Sequence, residues 1–170
     1  VDLSESMNAN DVKPSRLEKV KFEMKKVIDK FSSDRIGIIM FSGEAFVQCP
    51  MTYDKNALNL FTETLNTGLV PNTGTDFGPP LELSLSKLNN ENAESNELSS
   101  KIILLISDGE DFGDNTKESL EMIVDSNIKL FTVGIGSEKG SKILLTNGDY
   151  KRDKEGKEVI TKLDPISLKE

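Results

Sequence analysis

Asp2, Ser4 and Ser6 stand two residues apart at the start of the chain, and two further short segments carry the same kinds of atom: Gly74-Thr75-Asp76 and Ser107-Asp108-Gly109. Together they offer two carboxylates and three hydroxyls, with no nitrogen or sulfur donor among them. All-oxygen sets suit hard cations, so the ion implied is Mg2+, or else Mn2+ or Ca2+. Magnesium–oxygen bonds of about 2.1 Å put neighbouring octahedral ligands roughly 3 Å apart. Residues two apart on a straight strand are separated by about 6.7 Å. Asp2, Ser4 and Ser6 therefore share one ion only if the chain curls around it, as a loop leaving a strand end does; Ser and Asp favour such local turns. Neutral hydroxyls coordinate without cancelling the ion's charge. With carboxylates acting through water, the metal stays electrophilic and draws an outside carboxylate into a vacant position.

Each segment has a plainer reading on its own. Asp2–Ser6 would serve as a helix cap or polar turn, Thr75 as a cap for the helix after it, and Asp108-Gly109 as an ordinary turn after a strand. Thr73 and Asp76 are rival ligands to Thr75. Glu110 and Asp111 read as solvated. Asp11 reads equally as a support for the first loop or as surface polarity. The metal reading rests on all three segments occurring together.

Composition removes other chemistries. The 170 residues contain no His, which excludes Ser-His-Asp and Cys-His nucleophiles, imidazole bases and the usual zinc and iron sites. Cys49 is the single cysteine and sits among apolar neighbours, as a buried small residue does. The net charge of −8 argues against nucleic acid, whose phosphates need clustered Lys and Arg. No stretch approaches the roughly 18 apolar residues of a membrane span. Both ends read as cut: Val1 directly precedes the first motif, and Asp164-Pro165 begins a helix that the sequence does not finish.

The elements that must position these segments alternate. Leu17, Val20, Met24, Val27, Ile28 and Phe31 fall at helical spacing after Pro14-Ser15. Arg35 to Phe41 is an apolar run suited to a strand buried on both faces, and Ser42-Gly43-Glu44 turns it into a second strand, Ala45 to Cys49, ended by Pro50. A helix near Lys55 to Leu65 follows, then a turn-rich loop from Val70 to Gly78, then a helix from about Pro79. Asn89 to Ser100 is a polar connection. Lys101 to Ser107 and Lys129 to Ile135 are buried strands flanking a helix from about Thr116 to Ser126. Lys142 to Asn147 and Glu158 to Leu163 flank a surface hairpin. The fold class this specifies is α/β: a doubly wound, mostly parallel central sheet with one antiparallel edge strand and helices on both faces, in one domain spanning 1–170. Such sheets bind ligands beyond the carboxyl ends of their strands, which is where all three segments fall.

D-x-S-x-S at Asp2 to Ser6, Gly-Thr-Asp at 74 to 76 and Ser-Asp-Gly after a buried strand resemble the metal-ion-dependent adhesion site of von Willebrand factor A (vWA) domains, whose fold is Rossmann-like. Val-Lys-Pro-Ser-Arg-Leu at 12 to 17, Asp-Arg-Ile-Gly at 34 to 37, Phe46 with Gln48 before Pro50, and the tail from Gly156 to Pro165 resemble the bacterial aerotolerance (Bat) proteins, the BatB group most closely. The resemblance implies Ser4, Ser6 and Thr75 as direct ligands, with Asp2 and Asp108 binding directly or through water. It implies a protein partner that supplies an acidic side chain to the ion, in a bacterial envelope complex facing the periplasm, with membrane anchors outside this fragment. It also implies that the family's long central first strand is represented here by Val1 alone. Two other functions compete. A magnesium phosphohydrolase of the haloacid dehalogenase type would need a second carboxylate at the position of Ser4 and a suitably placed Lys. A scaffold of the same fold would leave the metal site unfilled.

Overall fold

A computed structural model of the chain describes residues 1–71, 74–90, 100–145 and 147–169. Four helices, α1 (Arg16–Lys30), α2 (Lys55–Thr64), α3 (Gly78–Asn90) and α4 (Thr116–Asp125), alternate with strands β1 (Ile36–Phe41), β2 (Ala45–Thr52), β3 (Ile102–Ser107) and β4 (Lys129–Gly134). Two very short strands, β5 (Ser141–Lys142) and β6 (Ile160–Thr161), close a small β-cap.

The sheet is joined at its centre by three residues. β1 pairs antiparallel with β2, and β3 parallel with β4. Between the two pairs lies Val1-Asp2-Leu3. The amide of Asp2 donates to Ile106 O on β3; that of Leu3 donates to Phe41 O on β1, and Phe41 N returns a bond to Val1 O. Asp2 bridges Phe41 in parallel sense. The strand order is thus β2, β1, Val1–Leu3, β3, β4, with β2 the antiparallel edge. Short as it is, the segment fills the central position that the sequence assigns to the first strand.

Helices cover both faces. α1 and α2 bury Leu17, Val20, Ile28 and Leu58 against Leu3, Ile38 and Ile106. On the other face α3 and α4 pack Leu81 and Ile123 against Phe41, Ile103 and Leu105. The helices begin where the sequence places them. Ser15 caps α1 by accepting from Glu18 N, and Asp54 caps α2 by accepting from Asn56 N and Ala57 N. Pro79 and Pro80 sit in the first turn of α3, where no backbone donor is required.

Four expectations need correcting. β2 does not end at Pro50 but continues to Thr52, because Pro50 falls at a register irregularity on an edge strand, where a missing N–H is tolerated. β1 is fully buried only at Ile38 and Phe41. β3 and β4 are likewise buried on one face more than the other: Ile102, Leu104, Phe131 and Val133 are 48%, 39%, 52% and 44% exposed, while Ile103, Leu105 and Leu130 meet the α3–α4 layer. The polar connection begins later than Asn89, because α3 runs through Asn90; residues 91–99 lie outside the described residues, as does Thr73.

Phe41 carries much of this arrangement. Its ring is fully buried and meets Phe77 edge-on at 6.0 Å between centroids. Its backbone holds the central segment, and the residue after it begins the metal-side loop. Phe41→Ala is expected to cost about 3–5 kcal/mol, read as a lowered urea midpoint with an unchanged slope.

Candidate metal centre

The carboxyl ends of all the parallel strands converge on one edge. Residues 2–6 leave the central segment, Ser42 leaves β1, Ser107-Asp108-Gly109 leaves β3 and Ile135-Gly136-Ser137 leaves β4. Asp2, Ser4, Ser6, Thr75, Ser107 and Asp108 are all buried there. After Leu3 the chain turns into a single 3-10 turn, Glu5–Asn8, so the curl demanded by the D-x-S-x-S spacing is present. Asp2 Oδ1 accepts from Ser4 N at 2.8 Å, and Asp2 Oδ2 accepts from the Ser107 hydroxyl at 2.6 Å. The Ser4 and Ser6 hydroxyl oxygens lie 2.8 Å apart, close to the edge of a magnesium octahedron, about 3 Å.

Thr75 approaches from the β1 side. Its segment is pinned by Ser42, whose hydroxyl donates to Gly74 O at 2.7 Å and whose carbonyl accepts from Asp76 N. Phe112 N donates to Thr75 O at 2.9 Å and leaves its own ring 73% exposed. Asp76 caps the entry to α3 by accepting from Gly78 N. Asp111 is not merely solvated: it accepts from Phe77 N, Gly113 N and the Thr116 hydroxyl, which locks the 110–116 loop onto the Thr75 loop. Glu110 is likewise engaged, accepting from the Thr161 hydroxyl and Lys162 N. Burial and the neighbouring Asp108 raise its pKa.

The residue that sequence reasoning missed is Arg16. It is fully buried, and all five of its N–H groups are used. Nε and Nη2 grip Asp11 as a fork, both at 2.9 Å; Nη1 donates to Asp108 Oδ2 at 2.6 Å and to Thr161 Oγ1 at 3.0 Å; Nη2 also reaches Thr161 O at 3.3 Å. One sequence signal pointed this way: Asp11 and Arg16 flank the quoted Val-Lys-Pro-Ser stretch. Nothing in the spacing tied Arg16 to Asp108, 92 residues away. Asp11 completes the arrangement by accepting from Ser137 N and its hydroxyl. Burial acts to raise the Asp11 pKa, but the Arg16 and Ser137 hydrogen bonds and the Arg16 charge overcome it and hold the group at about 2. Two glycines make room. Gly109 has φ +90, and a Cβ there would collide with the Asp164 carbonyl. Gly136, at φ +140, leaves room for Arg16: a Cβ there would press on its guanidinium at 3.0 Å.

Charge at this edge is unbalanced in a way that suits a cation. Burial, and then the facing Asp108 carboxylate, raise Asp2 from 3.8 to about 6 against the pull of the Ser107 and Ser4 hydrogen bonds. Arg16 sits on Asp108, whereas Asp2 accepts, among the described residues, from the uncharged Ser4 N–H and Ser107 hydroxyl. Among the described residues no three carboxylates or thiols gather as a cage.

A family model described as von Willebrand factor type A domain matches residues 1–110. The chain belongs to that family. Within it the chain is Bat-like. BatB from Bacteroides thetaiotaomicron is 30% identical, with a TM-score of 0.89 over 99% of this chain and 80% of that one. An aerotolerance-related membrane protein from Bacteroides fragilis is 32% identical, with a TM-score of 0.90 over 98% and 81%. A Borreliella burgdorferi protein is 25% identical over 142 residues, 82% of this chain; the chain spans 40% of that protein's length. The vWA family is one of protein-interaction modules, and no helix among the described residues is long and apolar enough to cross a membrane.

Two outcomes follow from the charges. Arg16→Gln leaves two buried carboxylates without their cation and is expected to cost about 3–5 kcal/mol at pH 7, with Asp11→Asn adding less than its separate effect in a double-mutant cycle. In chelator, Asp2 binds its proton more tightly folded than unfolded, so its ionisation subtracts stability as pH rises from about 4 through 6. Asp2→Asn is expected to raise the melting temperature at pH 7.5 and to leave it nearly unchanged at pH 4.

Proposed function

We propose that this vWA domain binds one divalent cation, Mg2+ or in its place Mn2+ or Ca2+, and uses it to bridge to an acidic side chain of a protein partner. The observation that carries the reading is the 2.8 Å separation of the Ser4 and Ser6 hydroxyls beside a buried Asp2 carboxylate whose hydrogen-bond donors among the described residues, Ser4 N–H and the Ser107 hydroxyl, are uncharged. Ser4, Ser6 and Thr75 would hold the ion directly. Asp2 would hold it directly or through water. Asp108 has one oxygen committed to Arg16, so it would act through Oδ1 or through a water. The ion would supply a Lewis-acidic position for an outside carboxylate.

Arg16 sharpens the chemistry. It neutralises Asp108 without touching the hydroxyls, so a bound ion keeps more of its charge for the incoming carboxylate. The domain is read as a binding module, not as an enzyme. Ser4 stands where a phosphohydrolase would place its acid, and the one buried guanidinium near the site is fully spent within the protein. Likeness to an aerotolerance-related membrane protein from Bacteroides fragilis supports a membrane-associated setting, and the proposal places the domain in an envelope complex facing the periplasm.

Mg2+ or Mn2+ in about hundredfold excess over its dissociation constant is expected to stabilise the domain by about 2.7 kcal/mol, visible as a raised melting temperature. Thr75→Ala and Asp2→Asn should abolish the shift, and Ser4→Ala should reduce it. Asp108→Ala is a poorer probe, because it also strips Arg16 of a partner. An unchanged melting temperature in wild type would leave the scaffold without an ion as the surviving alternative. Partner capture that persists in chelator would overturn the bridge.

A further inference from the structure

The segment from Lys139 to Lys162 stands apart in charge. It holds seven Lys and Arg against four Asp and Glu, whereas the rest of the chain, from totals of 21 and 29, holds 14 against 25. A basic patch on an acidic domain marks a particular kind of partner only if it lies near a site, and this one does.

The segment folds as the β-cap. β5 pairs with β6, Leu144 bridges Tyr150, and Arg152 bridges Glu158. The cap is tied to the metal-side edge at several points. Lys151 Nζ lies 2.7 Å from Glu5 Oε2, and Glu5 stands between the two hydroxyl residues Ser4 and Ser6. Thr161 bonds Arg16, Asp108 and Glu110. Lys162 N donates to Glu110, and Ser141 donates to Asn10 just after the first loop. The cap therefore forms one wall of the candidate metal centre. Lys151 reaches that rim with its ammonium group, its side chain 42% exposed, and the exposed Lys162 borders the rim through its backbone N–H on Glu110. Arg152, its side chain 60% exposed, follows Lys151 in the chain and bridges Glu158. The acidic groups facing them are Glu5 against Lys151 and Glu158 against Lys142 and Arg152.

We propose that the β-cap is the second half of the docking surface and that the partner segment it receives is acidic over several residues, one carboxylate meeting the ion and its neighbours meeting Lys151 and Lys162. This rests on the metal-bridging reading above and adds the class of segment that fits. The acidic remainder of the domain disfavours such a segment elsewhere, so the cap and ion together fix where it lands. It also disfavours an anionic membrane surface, which would meet the whole domain rather than one rim.

The probe is a fluorescein-labelled hexaglutamate peptide titrated against the whole domain in Mn2+. Wild type is expected to bind it, more weakly as salt rises. Lys151→Glu with Lys162→Glu should weaken binding by roughly tenfold, whereas Lys26→Glu on α1 should change it by less than about twofold. The Mn2+-induced melting shift of the double variant should match or exceed that of wild type, which shows that the fold and ion site survive. Lys151→Gln with Lys162→Gln should fall between. No peptide binding by wild type, or equal weakening by Lys26→Glu, overturns the proposal. Stronger association with phosphatidylserine vesicles than with the peptide, lost in the same double variant, overturns it in favour of a lipid surface. Lysine-dependent peptide binding that survives EDTA keeps the acidic docking surface and removes the ion bridge, so the two readings fail separately.

Discussion

A fully buried guanidinium shared between Asp11 and Asp108 organises the functional edge of this domain. Taking an arginine and two carboxylates out of water is expensive, and the cost is recovered only because every donor finds an acceptor at 2.6–3.3 Å. The consequence is geometric. Arg16 begins α1, Asp11 belongs to the loop before it, Asp108 leaves β3, and Thr161 lies in β6. One side chain thus joins the first helix, a central strand and the β-cap. It also fixes how Asp108 presents itself to anything that binds beside it.

The division of labour around it is consistent. Asp11 and Asp108 are matched by Arg16, whereas Asp2 accepts from uncharged donors among the described residues and is held at about 6 rather than in the ordinary carboxylate range. Hydroxyls fill the space between. Backbone carbonyls and amides, through Ser42, Gly74 and Phe112, hold the Thr75 loop against the rest. A cation bound as proposed would relieve this electrostatic cost, an exchange of stability for function.

Much of this was legible in the sequence, and the reasons differ by element. α1, α2 and α4 were readable because their apolar spacing and capping residues agree. The strands were readable as unalternated apolar runs, although their burial was overstated for β1, β3 and β4, since a run records composition and not which neighbours will cover it. The gathering of Asp2, Ser4, Ser6 and Ser107-Asp108 on one edge followed from doubly wound topology. Arg16 was not legible, because an arginine in the first turn of an amphipathic helix ordinarily points to water; only the fold, by closing 92 residues of chain, shows that this one does not. Asp111 and Glu110 were misjudged for a related reason. Their acceptors' partners are backbone amides and distant hydroxyls, which leave no spacing pattern.

The three-residue crosspiece between β1 and β3 bears on how the domain comes into being. Asp2 is bonded to Ser107 across 105 residues, and Arg16 to Thr161 across 145. Contacts so far apart in sequence close late, after their intervening loops have been ordered. During synthesis the D-x-S-x-S loop is made about a hundred residues before Ser107 and Asp108 and has neither to lean on until they emerge. The edge that gathers Asp2, Ser4, Ser6 and Asp108 is therefore late to mature, and until Ser107 and Asp108 are in place its oxygens stand scattered and solvated.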